Sequence, residues 1–125
     1  MTQDRKELGK KGEIAAAEFL SRQGLEVITQ NWKCSYGEID IIALDNKQLV
    51  FCEVKTRKSL KSGIPEEAVT HAKQKRYIKC AQLYISRNEC ESEYEGYRFD
   101  AIAIYALNDE RALLRYIKNA FCDEG

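Results

Sequence analysis

Three charged residues sit in stretches whose neighbours are strongly apolar. Asp40 lies in Gly37-Glu38-Ile39-Asp40-Ile41-Ile42-Ala43-Leu44, and Glu53 and Lys55 lie in Leu49-Val50-Phe51-Cys52-Glu53-Val54-Lys55. Runs this rich in Ile, Leu, Val and Phe form strands, and the polar Asp45-Asn46-Lys47 between them has turn chemistry. Side chains two apart share a strand face, so Glu53 and Lys55 point the same way, roughly 6 to 7 Å apart along the chain. Val50, Cys52 and Val54 cover the other face. Antiparallel pairing across a tight turn brings Asp40 beside Glu53. Two half-buried carboxylates repel and lose hydration, which raises a pKa unless a positive group arrives. A divalent cation fits that need, since Mg²⁺ takes one or two carboxylates and keeps waters that phosphate oxygens can replace. The competing reading is an ordinary Glu53–Lys55 ion pair on a solvated sheet face.

The elements that must position these groups follow the same logic. Residues 5 to 23 are predicted as a helix, with Leu8, Gly12, Ala15, Ala16 and Phe19 on one stripe and a stop at Gly24. Glu13 falls at the edge of that stripe, where a carboxylate can solvate or reach inward. Leu25 to Trp32 is a strand ahead of the hairpin. A basic stretch, Thr56 to Ile64 with Arg57, Lys58 and Lys61, follows the hairpin and suits a loop that grips phosphates. Pro65 suits the first turn of a second helix running to about Ser86, with Glu66 and Glu67 near its positive end. Its inner stripe is Val69, Ala72, Tyr77, Cys80, Leu83 and Tyr84. Lys73 and Arg76 fall inside the same arc, so they either snorkel past the core or extend toward the carboxylates. His71 points away from it. Residues 87 to 95 are acidic and irregular. Tyr97 to Tyr105 and Leu113 to Lys118 are the last two strands, joined through Asn108 and Asp109; Arg98 and Asp100 share a face and can pair.

With 125 residues, 44% hydrophobic and 32% charged, residues 1–125 fit a single domain with one modest core. The polar start, without an apolar run long enough for a signal peptide or a membrane span, points to a cytoplasmic protein with no membrane partner. Five cysteines, odd in number and without a Cys-x-x-Cys pair, argue against a disulfide framework or a zinc ribbon; Cys52 and Cys80 read as core filler and Cys34 as structural. The 20 basic and 20 acidic residues cancel, so no bulk attraction to nucleic acid follows. Residues 47 to 88 nevertheless hold ten Lys or Arg against Glu53, Glu66 and Glu67 alone.

The order helix-strand-strand-strand-helix-strand-strand, with Glu13, Asp40 and Glu53-Val54-Lys55 at these places, resembles the restriction-endonuclease-like PD-(D/E)xK nucleases, and among them the archaeal Holliday-junction resolvases. Gly12-Glu13, Gly37-Glu38-Ile39-Asp40, Phe51-Cys52-Glu53-Val54-Lys55-Thr56-Arg57 and Arg98-Phe99-Asp100 are similar to the bacterial YraN-like family. One departure is Ile39, where the superfamily's name has proline before the aspartate.

The resemblance implies an α/β fold with a three-layer core, a mixed sheet of about five strands with helices on both faces. It further implies phosphodiester hydrolysis of nucleic acid with Mg²⁺ or Mn²⁺, DNA ahead of RNA, on branched or non-standard structures, with two copies pairing as a homodimer. Asp40, Glu53 and the Val54 carbonyl would hold the metal, Lys55 would orient or deprotonate the attacking water, Glu13 would help position the metal or its water, and Glu38 stands behind Asp40. Arg57, Lys58, Lys61, Lys73 and Arg76 are the candidate nucleic-acid contacts. A nucleic-acid-binding module without turnover and a protein-interaction domain are the other readings.

Overall fold

The structure is a computed structural model that describes residues 2–58, 70–108 and 110–122, with side chains from residue 6 onward. Its elements are α1 (Thr2–Arg22), β1 (Glu26–Cys34), β2 (Gly37–Asp45), β3 (Gln48–Arg57), α2 (His71–Ser86), β4 (Gly96–Ala106) and β5 (Ala112–Phe121). The strands form one five-stranded sheet in the order β1-β2-β3-β4-β5. Only β3 and β4 run parallel; every other neighbouring pair is antiparallel. A parallel pair needs a crossover, and α2 lies in the connection that supplies it. The expected α/β architecture, with a mixed sheet between helices, is the one observed.

Alternation along the strands divides the core in two. Ile41, Ala43, Val50, Cys52, Ile102 and Ile104 pack with Ala16 and Leu20 of α1, whereas Ile42, Leu49, Phe51, Phe99 and Ala101 pack with Tyr77, Cys80, Ala81 and Tyr84 of α2. Each helix thus buries one stripe against one sheet face. The α2 layer is aromatic: Phe51, Phe99 and Phe121 sit in series with centroids 5.7 and 4.9 Å apart, and Phe121 meets Tyr77 edge-on at 6.2 Å.

Several boundaries differ from the sequence expectation. The stripe of α1 runs through Gly12, Ala16 and Leu20, with Ala15 exposed, because close contact with the sheet sets the helix rotation. Gly12 is buried against β3, and a Cβ there would collide with the Thr56 side chain, so glycine permits the close approach. Gly24, at φ +96°, ends the helix, with Leu25 N donating to Leu20 O.

Helix α2 begins after Thr70, whose backbone is extended and whose Oγ1 accepts from Lys73 N at 3.3 Å. The expected start at Pro65, with Glu66, Glu67 and Val69, falls outside the described residues, and so does Asp109. Ala72 is exposed and Ala81 takes its place in the buried stripe. The hairpin turn narrows to Asn46-Lys47 because Asp45 already pairs with Gln48; Asn46 adopts φ 56°, a conformation asparagine tolerates. Asn108 accepts from the backbone N–H groups of Glu110 and Arg111, each at 2.8 Å, and so closes the turn into β5.

Candidate active site

The register of β2 against β3 ends at Ile41↔Cys52, and one step further Asp40 comes to lie opposite Glu53. Here the ladder gives way to side-chain bonding: Val54 N donates to Asp40 Oδ2 at 2.8 Å. Tyr77 reaches the same place from α2. Its hydroxyl accepts from Asp40 N at 3.0 Å and lies 3.3 Å from both Asp40 Oδ2 and Cys52 O, so its single proton serves one or the other. Burial, followed by the charges of Asp40 and Glu53, holds the Tyr77 phenol well above its usual pKa, and it remains a donor.

Glu53 is 1% exposed. Its Oε1 pairs with Lys73 Nζ and lies 3.8 Å from Lys55 Nζ. Its Oε2 is buried and has no hydrogen-bond partner among the described residues. An unsatisfied buried carboxylate oxygen is costly, and natural interiors seldom keep one without a function. Lys73 is in the first turn of α2, the end of a helix where a cation is least favoured. Its contact with Glu53 is what stabilises it there.

Negative charge dominates one wall. Burial pushes the Asp40 carboxyl up to about 7, reinforced by Glu53, Glu13 and Glu38 and opposed by the Val54 amide. Among the cations, burial and the neighbouring Lys73 lower the Lys55 pKa. Burial acts on Lys73 in the same sense, but the bonds to Glu53 and Lys55 outweigh it and raise that pKa. The two amines therefore differ in how tightly each holds its proton.

Glu13 reaches this region from the opposite helix. With the Asn31 amide oriented so that its NH₂ faces the carboxylates, it donates to Glu13 Oε1 at 3.0 Å and to Glu38 Oε1 at 2.7 Å, tying α1 to β2. Asn31 has φ 53°, between the Gln30↔Ile41 and Trp32↔Ile39 pairs. Glu38, Asp40, Glu53, Lys55, Lys73, Arg76 and Tyr77, with Tyr36 and Cys80, line a cleft of about 320 Å³; Glu13 and Asn31 are not part of its lining.

Not every expected residue converges. Lys73 and Arg76 line the cleft, and Arg57 lies close enough to affect Lys55. Lys58 instead lines a separate depression with Gly12, Thr56 and Arg111, on the α1 side. Lys61 is outside the described residues. Sequence periodicity assigns Tyr77 to the core alone and gives Asn31 no role. A tyrosine on an apolar helix stripe gives no sign that its hydroxyl meets a strand, but an asparagine within a strand, where that residue is disfavoured, is a signal.

The donor set decides which metal suits the cleft. Among the described residues no three His, Cys, Asp or Glu side chains converge on one point, which does not suit a zinc centre. Two carboxylates, one with an orphaned oxygen, do suit Mg²⁺ or Mn²⁺ completed by waters and phosphate oxygens. Among the described residues no helix is long and apolar enough to cross a membrane.

Fold and cleft together define a three-layer α/β domain with paired carboxylates and lysines at the open end of a central hairpin. The sequence profile of the uncharacterised protein family UPF0102 matches residues 12–104, and the chain belongs to that family. A UPF0102 protein of Caldanaerobacter subterraneus is 45% identical over 121 residues, covering 94% of this chain and 97% of the relative. Another, from Symbiobacterium thermophilum, is 46% identical over 114 residues, 91% and 95% of the two chains. A third, from Caldicellulosiruptor saccharolyticus, is 41% identical over 119 residues, 94% and 99% of the two.

Proposed function

We propose that this protein is a metal-dependent nuclease that hydrolyses phosphodiester bonds in nucleic acid, DNA in particular. The observation that carries the proposal is Glu53, a buried carboxylate with one oxygen unpartnered among the described residues, set beside Asp40 and within reach of Lys55. A structural ion pair gains nothing from an open oxygen; a cation site requires one.

In this reading Asp40, Glu53 and the Val54 carbonyl hold Mg²⁺ or Mn²⁺. When bound, such an ion supplies neutralisation of phosphate charge and acidification of water. Tyr77 and the Val54 amide fix Asp40 by bonding Oδ2. Lys55, whose pKa burial and Lys73 depress, orients the attacking water and accepts its proton. Glu13, joined to Glu38 through Asn31, would help position the metal or its water. Lys73 and Arg76 on one wall and Arg57 at the end of β3 offer cations to the phosphate backbone, and Lys58 and Lys61 continue that basic stretch in sequence. Branched or otherwise non-standard DNA is the substrate class we favour, and two copies acting together would cut two strands.

The test is cleavage of a panel of duplex, single-stranded and branched DNA and RNA with Mg²⁺ or Mn²⁺. Lys55→Ala should reduce the rate by roughly 10²- to 10³-fold while the fold survives. Wild-type protein inert on the whole panel would overturn the proposal. One observation favours a second reading: Lys73 already neutralises one Glu53 oxygen, as it would in a binding module without turnover. Salt-sensitive binding that persists in EDTA and is indifferent to Asp40→Asn would select that reading.

A further inference from the structure

Cys34 closes β1 and Cys80 lies in the middle of α2, and their sulfurs are 3.3 Å apart, 46 positions separated in sequence. Both are free thiols. Cys80 is 1% exposed, yet it borders the cleft, and Cys34 is partly exposed at the edge of the α2 core. Gly37, the first residue of β2, lies near this thiol: a Cβ built on it would come within 3.9 Å of Cys80 Sγ.

The geometry points to a redox-modification site in which a hydroperoxide converts Cys34 and Cys80 into a disulfide that fastens α2 to the end of β1. A sulfur pair that already touches needs to close by a little over 1 Å to reach the bond length of about 2.05 Å. Loop closure is therefore complete before any chemistry begins.

The two thiols have different parts. Burial, and then the bond to Cys34, pushes Cys80 up to about 12, so it stays protonated. Cys34, with its partial exposure, meets the oxidant first. With hydrogen peroxide, the Cys34 sulfur attacks one oxygen, the O–O bond breaks, and Cys34 becomes a sulfenic acid while its thiol proton leaves with the other oxygen as water. Cys80 sulfur then attacks the Cys34 sulfur and its proton leaves with the sulfenic hydroxyl as a second water. Two electrons pass from the thiols to one peroxide, and the resolving thiol is already in contact. The closed latch would hold the wall that carries Arg76 and Tyr77, which lie within one turn of Cys80.

The experiment uses the full chain, reduced and desalted, then treated with a small excess of hydrogen peroxide, denatured, alkylated and mapped by mass spectrometry. Of its five thiols, Cys34 and Cys80 should be lost together as one cross-linked peptide pair and recovered with dithiothreitol. Closing a loop of this length should also raise the melting temperature by several degrees. Cys34→Ser, at a partly exposed position, should leave Cys80 fully alkylatable and remove the thermal shift; Cys80→Ala should leave Cys34 as a stable sulfenic or sulfinic acid. If wild-type Cys34 and Cys80 stay alkylatable while exposed Cys122 oxidises, or if wild-type Cys34 runs on to sulfinic acid without a cross-link, the site is not a latch.

Discussion

The sheet carries two buried clusters of charge, one on each face, and they are built to opposite rules. On the α1 face, Arg98 Nε bonds both oxygens of Asp100 at 3.0 and 3.2 Å, Nη1 bonds Gln48 Oε1 at 2.9 Å and Nη2 bonds Asp45 Oδ2 at 2.9 Å. Asp100, with no exposure, also accepts from Tyr116 Oη at 2.5 Å and Asn119 N at 3.0 Å. Both Asp100 oxygens are satisfied, and the partners hold the Arg98 guanidinium charged throughout. On the α2 face, Glu53 is as deeply buried, but one oxygen has no partner among the described residues and Asp40 beside it is pushed up to about 7. A cluster that closes on itself holds strands together. One that stays open keeps a buried carboxylate oxygen without a partner among the described residues, a cost that a bound cation would offset.

The sharpest way to break this comparison is to open the closed cluster. Asp100→Ala leaves Arg98 buried without its main partner and should cost about 3–5 kcal/mol, measured by chemical denaturation; a loss under 1 kcal/mol would show the cluster to be dispensable.

The open cluster should respond to pH in the opposite sense from a paired carboxylate. The folded state holds the Asp40 proton more tightly than the unfolded chain, from a usual value of 3.8 up to about 7. Folded protein thus binds more protons in that interval, and stability of the metal-free chain should fall as pH rises from about 4 to 7 and then level. Asp40→Asn should remove that slope and, at pH 8, leave the protein roughly 1–3 kcal/mol more stable than wild type. Added Mg²⁺ or Mn²⁺ should stabilise wild type above pH 7 and leave the variant unchanged. Equal slopes for the two proteins would place the raised acid elsewhere.

Gly12→Ala tests how closely α1, which carries Glu13, is seated on β3. The new methyl would collide with Thr56, and overpacking of this kind should cost about 1–3 kcal/mol. Thr56→Ala in the same chain should recover part of the loss; purely additive effects would show that the helix sits elsewhere. The smallest effect should come from the exposed Lys47–Glu95 pair, 3.5 Å apart. Lys47→Ala should change stability by less than about 0.5 kcal/mol, a baseline for charge that is neither buried nor open.

Much of this was legible in the chain. The period-2 runs around Asp45-Asn46-Lys47 located the hairpin, and because that turn is tight they also set Asp40 opposite Glu53. Gly24 marked the end of α1. Less legible was everything carried by side chains across layers. Tyr77 looked like packing, since its apolar ring does belong to the core and only its hydroxyl departs from it. Lys73 and Arg76 shared an arc, yet Lys73 alone bonds Glu53 and Arg76 stays exposed at the cleft margin. Cys34 reads as structural and Cys80 as core filler, with nothing in the sequence to join them.

What the sequence determined by itself is local and periodic: where apolar residues recur every two or every three to four positions, which short polar stretches turn the chain, and therefore the order of helices and strands and the face each charged residue shares. What only the tertiary structure decided is which atoms meet across layers. The rotation of α1 depends on Gly12 against Thr56, and the phase of α2 on the Thr70 cap. The physical reason is that a hydrogen bond or an ion pair forms or fails over about 1 Å. Periodicity in sequence specifies a face, which is several ångströms wide.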